Sequence, residues 1–250
     1  MASVIAIIQA RMASTRLPGK VLIEIDNRPL LETMVSRVKK SKKIDKIIIA
    51  TSESANDNVI IEFCKKNKYN YYVGSELDVL SRYYYCAIKN NADTIVRLTA
   101  DCPLIDPYII DKVINLYEED GYDYASNTVP FQNSKYPDGS DVEVFSLDAL
   151  KKAYREVTND ADREHVTFYF WKYNNFFRTI QLSNKENWSE FRITIDYPED
   201  LEVIKFILKE IKNRKIFGTL EEIMLMLKEN PHIANINSKY YYGIGWEKNS

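Results

Sequence analysis

The chain has 250 residues, 34 Lys and Arg against 36 Asp and Glu, and 45% hydrophobic residues. Its near-balanced charge gives no general attraction to nucleic acid or an anionic membrane, and its apolar content suits one large domain, with or without an appendage. Glycine is scarce, seven in the whole chain where about 7% is usual. Neither G-x-G-x-x-G nor G-x-x-x-x-G-K-[ST] occurs, which removes the common dinucleotide and P-loop readings.

From the N-terminus, Val4–Gln9 reads as a buried strand. Residues 29–38 read as a helix with Leu30, Leu31, Met34, Val35 and Val38 on one face. A second buried strand is expected over 46–51, a helix over 56–66, a third strand over 69–73 and a helix over 78–90. Thr94–Thr99 is the fourth strand. Asp106 caps a helix over 106–119, with Pro107 at its first position. A short strand follows at 123–126, then a Pro/Asn/Ser/Gly-containing loop over 129–139. Residues 141–145 alternate like a strand, Ser146 caps a helix over Leu147–Glu156, and 162–173 reads as a helix. Strands over 177–182 and 191–195, an amphipathic helix over 198–211 and a last helix over 220–227 complete the pattern; beyond Pro231 nothing is assigned. This βαβ rhythm predicts a mostly parallel sheet with helices on both faces.

Cys64, Cys86 and Cys102 are odd in number and lack C-x-x-C spacing, and the only histidines are His165 and His232. A disulfide framework and a zinc site are therefore not expected. No apolar run reaches the ~18 residues of a membrane span, and Val4–Ile8 is too short for a signal segment. A cytoplasmic protein with no membrane and no nucleic-acid partner is the expectation.

In open α/β sheets, ligands bind at the carboxyl ends of the strands. The loop after the first strand, Gln9 to Lys20, carries Arg11, Arg16 and Lys20 with Ser14 and Thr15, and no acid. Guanidinium forks and a lysine suit a triphosphate. Asp101 follows the fourth strand, and Asp196 follows another apolar run, each two residues before a proline. Two such carboxylates suit Mg²⁺, which takes one or two carboxylates plus phosphates. Cys102 reads as a small buried filler, Phe168, Phe170 and Trp171 as core or dimer contact rather than a stacking platform, and Glu199 and Asp200 as acids favouring a helix N-terminus.

The run IIQARMASTRLPGKVL resembles the signature of cytidylyltransferases that activate acidic sugars and polysaccharide precursors. The resemblance is strongest to the spore-coat-polysaccharide (SpsF-like) type, related to 3-deoxy-manno-octulosonate (CMP-Kdo) and acylneuraminate cytidylyltransferases. It continues through residues 74–83, 97–104, 136–144, 163–167 and 194–200, in family order. It implies a Rossmann-like, GT-A-like nucleotidyltransferase that condenses CTP with an acceptor and releases pyrophosphate. It also implies one nucleotidyltransferase domain over 1–215, with an acceptor and dimerisation subregion at about 127–190, and a homodimer; it is silent beyond about 215, where the chain is read as a C-terminal helix and tail over 216–250.

Residue by residue, the resemblance assigns the triphosphate to Arg11, Ser14, Arg16 and Lys20 and nucleotide binding also to Gln9, Ala10 and Gly19, with Arg11, Arg16, Lys20 and Asp101 catalytic. Gly74, Ser75, Asp78 and Arg82 are assigned to base and ribose, and Arg97 and Thr99 to the nucleotide. Asp101 and Asp196 are assigned to Mg²⁺, and Asp138, Asp141, Glu143, Arg163 and His165 to the acceptor. The acids Asp138, Asp141 and Glu143 favour hydroxyl or amine groups over a carboxylate. The acceptor is a sugar, an acidic sugar or a phosphorylated compound, giving a CMP- or CDP-linked product for surface polysaccharide or glycoconjugate synthesis. Other readings are a transferase using another nucleoside triphosphate and a non-catalytic nucleotide-sugar binding module.

Overall fold

The computed structural model of the chain describes residues 2–119, 121–172 and 176–240. Strand β1 (Val4–Gln9) leads through a 3₁₀ turn (Lys20–Leu22) into a two-stranded hairpin, β2 (Glu24–Ile25) and β3 (Arg28–Pro29), turned by Asp26 and Asn27 at positive φ. Helix α1 (Leu30–Val38), β4 (Lys46–Ser52), α2 (Asn58–Asn67), β5 (Tyr71–Gly74), α3 (Val79–Lys89) and β6 (Thr94–Thr99) follow. The remainder comprises α4 (Pro107–Glu118), β7 (Tyr124–Ser126), β8 (Glu143–Ser146), α5 (Leu147–Glu156), α6 (Asp160–His165), α7 (Phe168–Lys172), β9 (Thr179–Gln181), α8 (Pro198–Arg214), α9 (Leu220–Glu229) and α10 (Pro231–Ala234).

Seven strands form one sheet in the order β5-β4-β1-β6-β8-β7-β9. The first four are parallel, β8 runs antiparallel to β6 and to β7, and β9 pairs parallel to β7. Alternate side chains of β1 enter opposite layers, as the pleat requires. Val4, Ala6 and Ile8 pack with apolar residues of α1, α4, α8 and α9, whereas Ile5 and Ile7 pack with those of α3 and α5. Both faces are thus covered, which is why the central strands are continuous apolar runs.

Strand order reverses at β1, with β4 on one side and β6 on the other. Gln9 at the end of β1 lies in register with Thr99 at the end of β6. The loops after these strands therefore flank one crevice, the usual ligand position in such sheets.

Two predicted elements differ. The strand expected over 191–195 joins no ladder; an isolated bridge links Asp138 to Arg192. Its backbone N–H groups bond instead to loop carbonyls, Ile193 to Asp138 and Ile195 to Asp101. The helix expected over 162–173 is two short helices, broken where Val166 takes φ 60°, a positive value that carries the chain out of the right-handed helix. Tyr173 and the tail from residue 241 lie outside the described residues.

Candidate active site

The loop after β1 is shaped by a residue the spacing did not expose. Asp57, buried at the start of α2, accepts the N–H of Met12 at 2.7 Å and bonds Thr51 and Ser52 through its other oxygen. Gly19, at φ 70°, returns its N–H to the Met12 carbonyl at 3.0 Å, and Leu17 N–H bonds Ser14 Oγ at 3.2 Å. The 3₁₀ turn that follows buries Val21 and presents Lys20 to the crevice.

Lys20 Nζ lies 3.0 Å from Asp101 Oδ2 and 2.7 Å from Asp196 Oδ1. Arg16 Nη2 reaches the same Asp196 oxygen at 3.1 Å, and Arg192 Nη2 lies 3.1 Å from the other. The two carboxylates are set together by backbone: the Asp101 carbonyl accepts Ile195 N–H at 2.8 Å and Thr194 Oγ1 at 3.1 Å. Burial alone would lower the Lys20 pKa, but Asp101 and Asp196 outweigh it and hold the ammonium above its ordinary value. Burial would likewise raise both carboxyls, yet the attraction of Lys20 draws each below the usual carboxylate range. One ammonium thus sits between two ionised carboxylates. Two hard oxygen donors, with the rest of the shell left to phosphate and water, is the Mg²⁺ pattern. The described residues contain no cluster of three or more acidic, His or Cys groups suited to a metal.

These groups line a cleft of about 710 Å³ that extends past Arg97, His165, Phe168 and Trp171. Three buried atoms on its wall, Gln9 Oε1, Arg16 Nε and Arg97 Nε, lack a hydrogen-bond partner among the described residues. Buried polar atoms are rarely left so, and a polar ligand would supply the missing partners. A cation-rich loop, two carboxylates and unpaired polar atoms at a strand-order reversal fit a nucleotide triphosphate. Residues 5–229 match the cytidylyltransferase family. The chain belongs to this family. It is 38% identical over 238 residues, 94% of each chain, to an uncharacterised protein of Methanocaldococcus jannaschii. It is 34% identical to the spore coat polysaccharide biosynthesis protein SpsF of Bacillus subtilis, covering 94% of this chain and 98% of that one. A cytidylyltransferase structure from Leptospira borgpetersenii serovar Hardjo-bovis superposes with a TM-score of 0.86 at 32% identity, covering 94% and 97% of the two chains.

In this cytidylyltransferase the expected site residues divide. Gln9, Arg11, Ser14, Arg16, Lys20, Arg97, Thr99, Asp101, Asp138, Asp141, Glu143, His165 and Asp196 line the cleft. Ala10 is buried beneath it, and Gly19 shapes the loop. Gly74, Ser75, Asp78, Arg82 and Arg163 are not on its wall. Arg82, 1% exposed, donates to the carbonyls of Ser75 and Glu76, and so holds the segment after β5. Arg163 forks onto Asp78 Oδ2 at 3.0 and 2.6 Å and bonds the Val157 carbonyl at 2.7 Å, tying α6 to the start of α3.

The acids expected to meet hydroxyl or amine groups are otherwise engaged. Asp138 pairs with Arg192, and Glu143 accepts from Arg97 and, at 2.5 Å, from Tyr124 Oη. Asp141 accepts Thr128 Oγ1 at 2.8 Å and Gly139 N–H at 2.9 Å. Among the aromatics, Phe170 is core, Phe168 is buried and Trp171 packs against the core, and Phe168 and Trp171 also line the cleft. Cys102 is buried, and burial pushes its thiol well above the usual range, as a filler requires. Arg192, 4% exposed at the centre of the carboxylates, was missed; its one available signal was an arginine inside the apolar run Phe191–Ile195.

No helix among the described residues is long and apolar enough to cross a membrane.

Proposed function

We propose that this protein transfers the cytidylyl group of CTP to an acceptor oxygen, forming an acceptor–Pα bond and breaking the bond to pyrophosphate. The observation that carries this is the convergence of Lys20 on Asp101 and Asp196 at the β1–β6 crevice. Arg11, Arg16 and Lys20 bind the triphosphate and stabilise charge developing on the departing pyrophosphate. Asp101 and Asp196 would hold Mg²⁺, which would supply charge neutralisation at the α-phosphate. Positioning and charge neutralisation carry most of such transfers. His165 is a weak base, because burial and then the nearby Arg97 and Lys172 push its imidazole down to about 4. It can still orient an acceptor hydroxyl.

At the other end of the cleft, Phe168, Trp171 and Val129 offer an apolar wall beside Arg97, Thr167 and His165. That mixture supports a sugar acceptor, with a ring face against the aromatics and hydroxyls on the polar groups. The name of the Bacillus relative supports a role in polysaccharide synthesis. The test is a screen of sugars, acidic sugars and sugar phosphates with CTP and Mg²⁺. It reads pyrophosphate and identifies the CMP- or CDP-linked product by mass. Asp101→Asn and Asp196→Asn are each expected to abolish pyrophosphate release while leaving the fold intact. Full activity in either overturns the carboxylate assignment.

A further inference from the structure

The family match ends at residue 229, yet the chain beyond it reaches back into the site. Asn237, 1% exposed, donates through Nδ2 to Asp200 Oδ1 at 2.8 Å and to the Arg192 carbonyl at 3.1 Å. Asp200 is wholly buried, so every lone pair left unfilled carries a desolvation cost. Its Oδ2 accepts the N–H groups of Asp196 at 2.8 Å and Tyr197 at 2.9 Å. Arg192 bonds both Asp200 oxygens, at 2.9 and 3.1 Å, and the same Nη2 reaches Asp196 Oδ2 at 3.1 Å. One buried carboxylate therefore fixes Asp196 twice, through its main chain and through Arg192, and Asn237 holds that carboxylate from behind.

A second contact is independent of the first. The Tyr240 ring stacks on Tyr197 with centroids 3.7 Å apart and planes 4° from parallel. Arg16 lies 4.9 Å from the centroid of the same Tyr197 ring while it bonds Asp196. The segment thus touches the supports of both a carboxylate and a triphosphate cation.

We propose that residues 237–240 are a working part of the nucleotide site: Asn237, through Asp200 and Arg192, positions the Asp196 carboxylate, and Tyr240, through Tyr197, positions Arg16. This rests on the functional reading above. An amide suits the position, since it donates to Asp200 without adding charge to the ion-pair cluster of Lys20, Arg16 and Arg192 with their carboxylates. Removing a group that orients a metal-binding side chain typically costs about 10–100-fold in metal affinity or activity.

The test is calorimetric titration of the full chain with CTP, with and without Mg²⁺, alongside thermal melts. Wild-type protein is expected to bind CTP more tightly with Mg²⁺. Asn237→Ala should lose about 10–100-fold of affinity in Mg²⁺ and little without it. Tyr240→Ala, which leaves the Arg16–Tyr197 contact without its stacking support, should weaken CTP about two- to fivefold under both conditions, at most the size of that cation–π contact, and Tyr240→Phe should restore wild-type binding. Wild-type affinities in Asn237→Ala and Tyr240→Ala overturn the proposal. So does a loss in Asn237→Ala that is equal with and without Mg²⁺, since that marks a purely structural role. If Asn237→Ala does not fold, the Tyr240 pair decides the question: wild-type CTP affinity in Tyr240→Ala, or an equal loss in Tyr240→Phe, overturns the proposal. A wild-type protein that binds no CTP overturns the functional reading itself, and this proposal with it.

Discussion

Lys20 is the residue on which the site's charge turns, because among the described residues its ammonium alone bridges Asp101 and Asp196. Lys20→Met leaves two carboxylates facing each other and removes a phosphate ligand. The expected result is a fall of about 10²–10³ in kcat, the usual effect of removing one preorganised charge-stabilising donor, read as pyrophosphate release. His165 gives a pH signature. Its folded-state value of about 4 lies below the ordinary 6.5, so on acidification the unfolded chain takes up the proton first. Its contribution to stability is full above pH 6.5 and is lost as pH falls from there towards 4. Melts of His165→Gln against wild type across that window should show a shallower acid-side decline in the variant. At this scale the cation loop, Asp101 and Asp196 were legible, because polar residues that end buried strands stand out in sequence. Arg192, Asp57 and Asn237 were not, because each acts on a partner distant in sequence or lies in a run whose pattern says only that it is apolar.

At the scale of elements, the joint between residues 137–141 and 191–195 decides how Asp196 is presented. Gly139 lies at φ 97°, and a Cβ there would come within 2.2 Å of Thr194 N and 2.4 Å of the Ile193 carbonyl carbon. These are backbone atoms with no rotamer to yield. Gly139→Ala is expected to destabilise the protein by about 3 kcal/mol, a fall of roughly 6–12 °C in midpoint for a chain of this size, measured by calorimetry. The joint also explains the misread strand at 191–195: alternating polarity describes an extended chain but not what it pairs with. The helix expected over 162–173 failed for a related reason: periodicity describes which face is apolar, and Val166 and Phe170 are both buried, but it does not reveal the positive φ at Val166 that divides the helix.

For the whole molecule, a ligand that binds only the folded state raises its midpoint. In Mg²⁺, CTP at about one hundred times its dissociation constant should add about 2.7 kcal/mol, or roughly 5–11 °C. UTP, GTP and ATP should shift the midpoint far less. A shift by another triphosphate equal to that of CTP favours the alternative nucleotide.

The scarcity of glycine reads differently once the chain is folded. The cations proposed to meet phosphate, Arg11, Arg16 and Lys20, line the cleft on a loop held by Asp57 rather than wrapped in glycine-rich backbone. Local pattern was enough for the parallel βαβ core, the loops that carry ligand groups, and the motifs that resemble one family. These depend on residues close together in the chain, where periodicity and capping act. The pairing of Asp138 with Arg192 and of Glu143 with Arg97, the engagement of Arg82 and Arg163 off the cleft wall, and the return of residues 237–240 to the supports of Asp196 came only from tertiary structure. Each of them joins groups brought together by sheet order and long-range packing, and no local spacing encodes those distances.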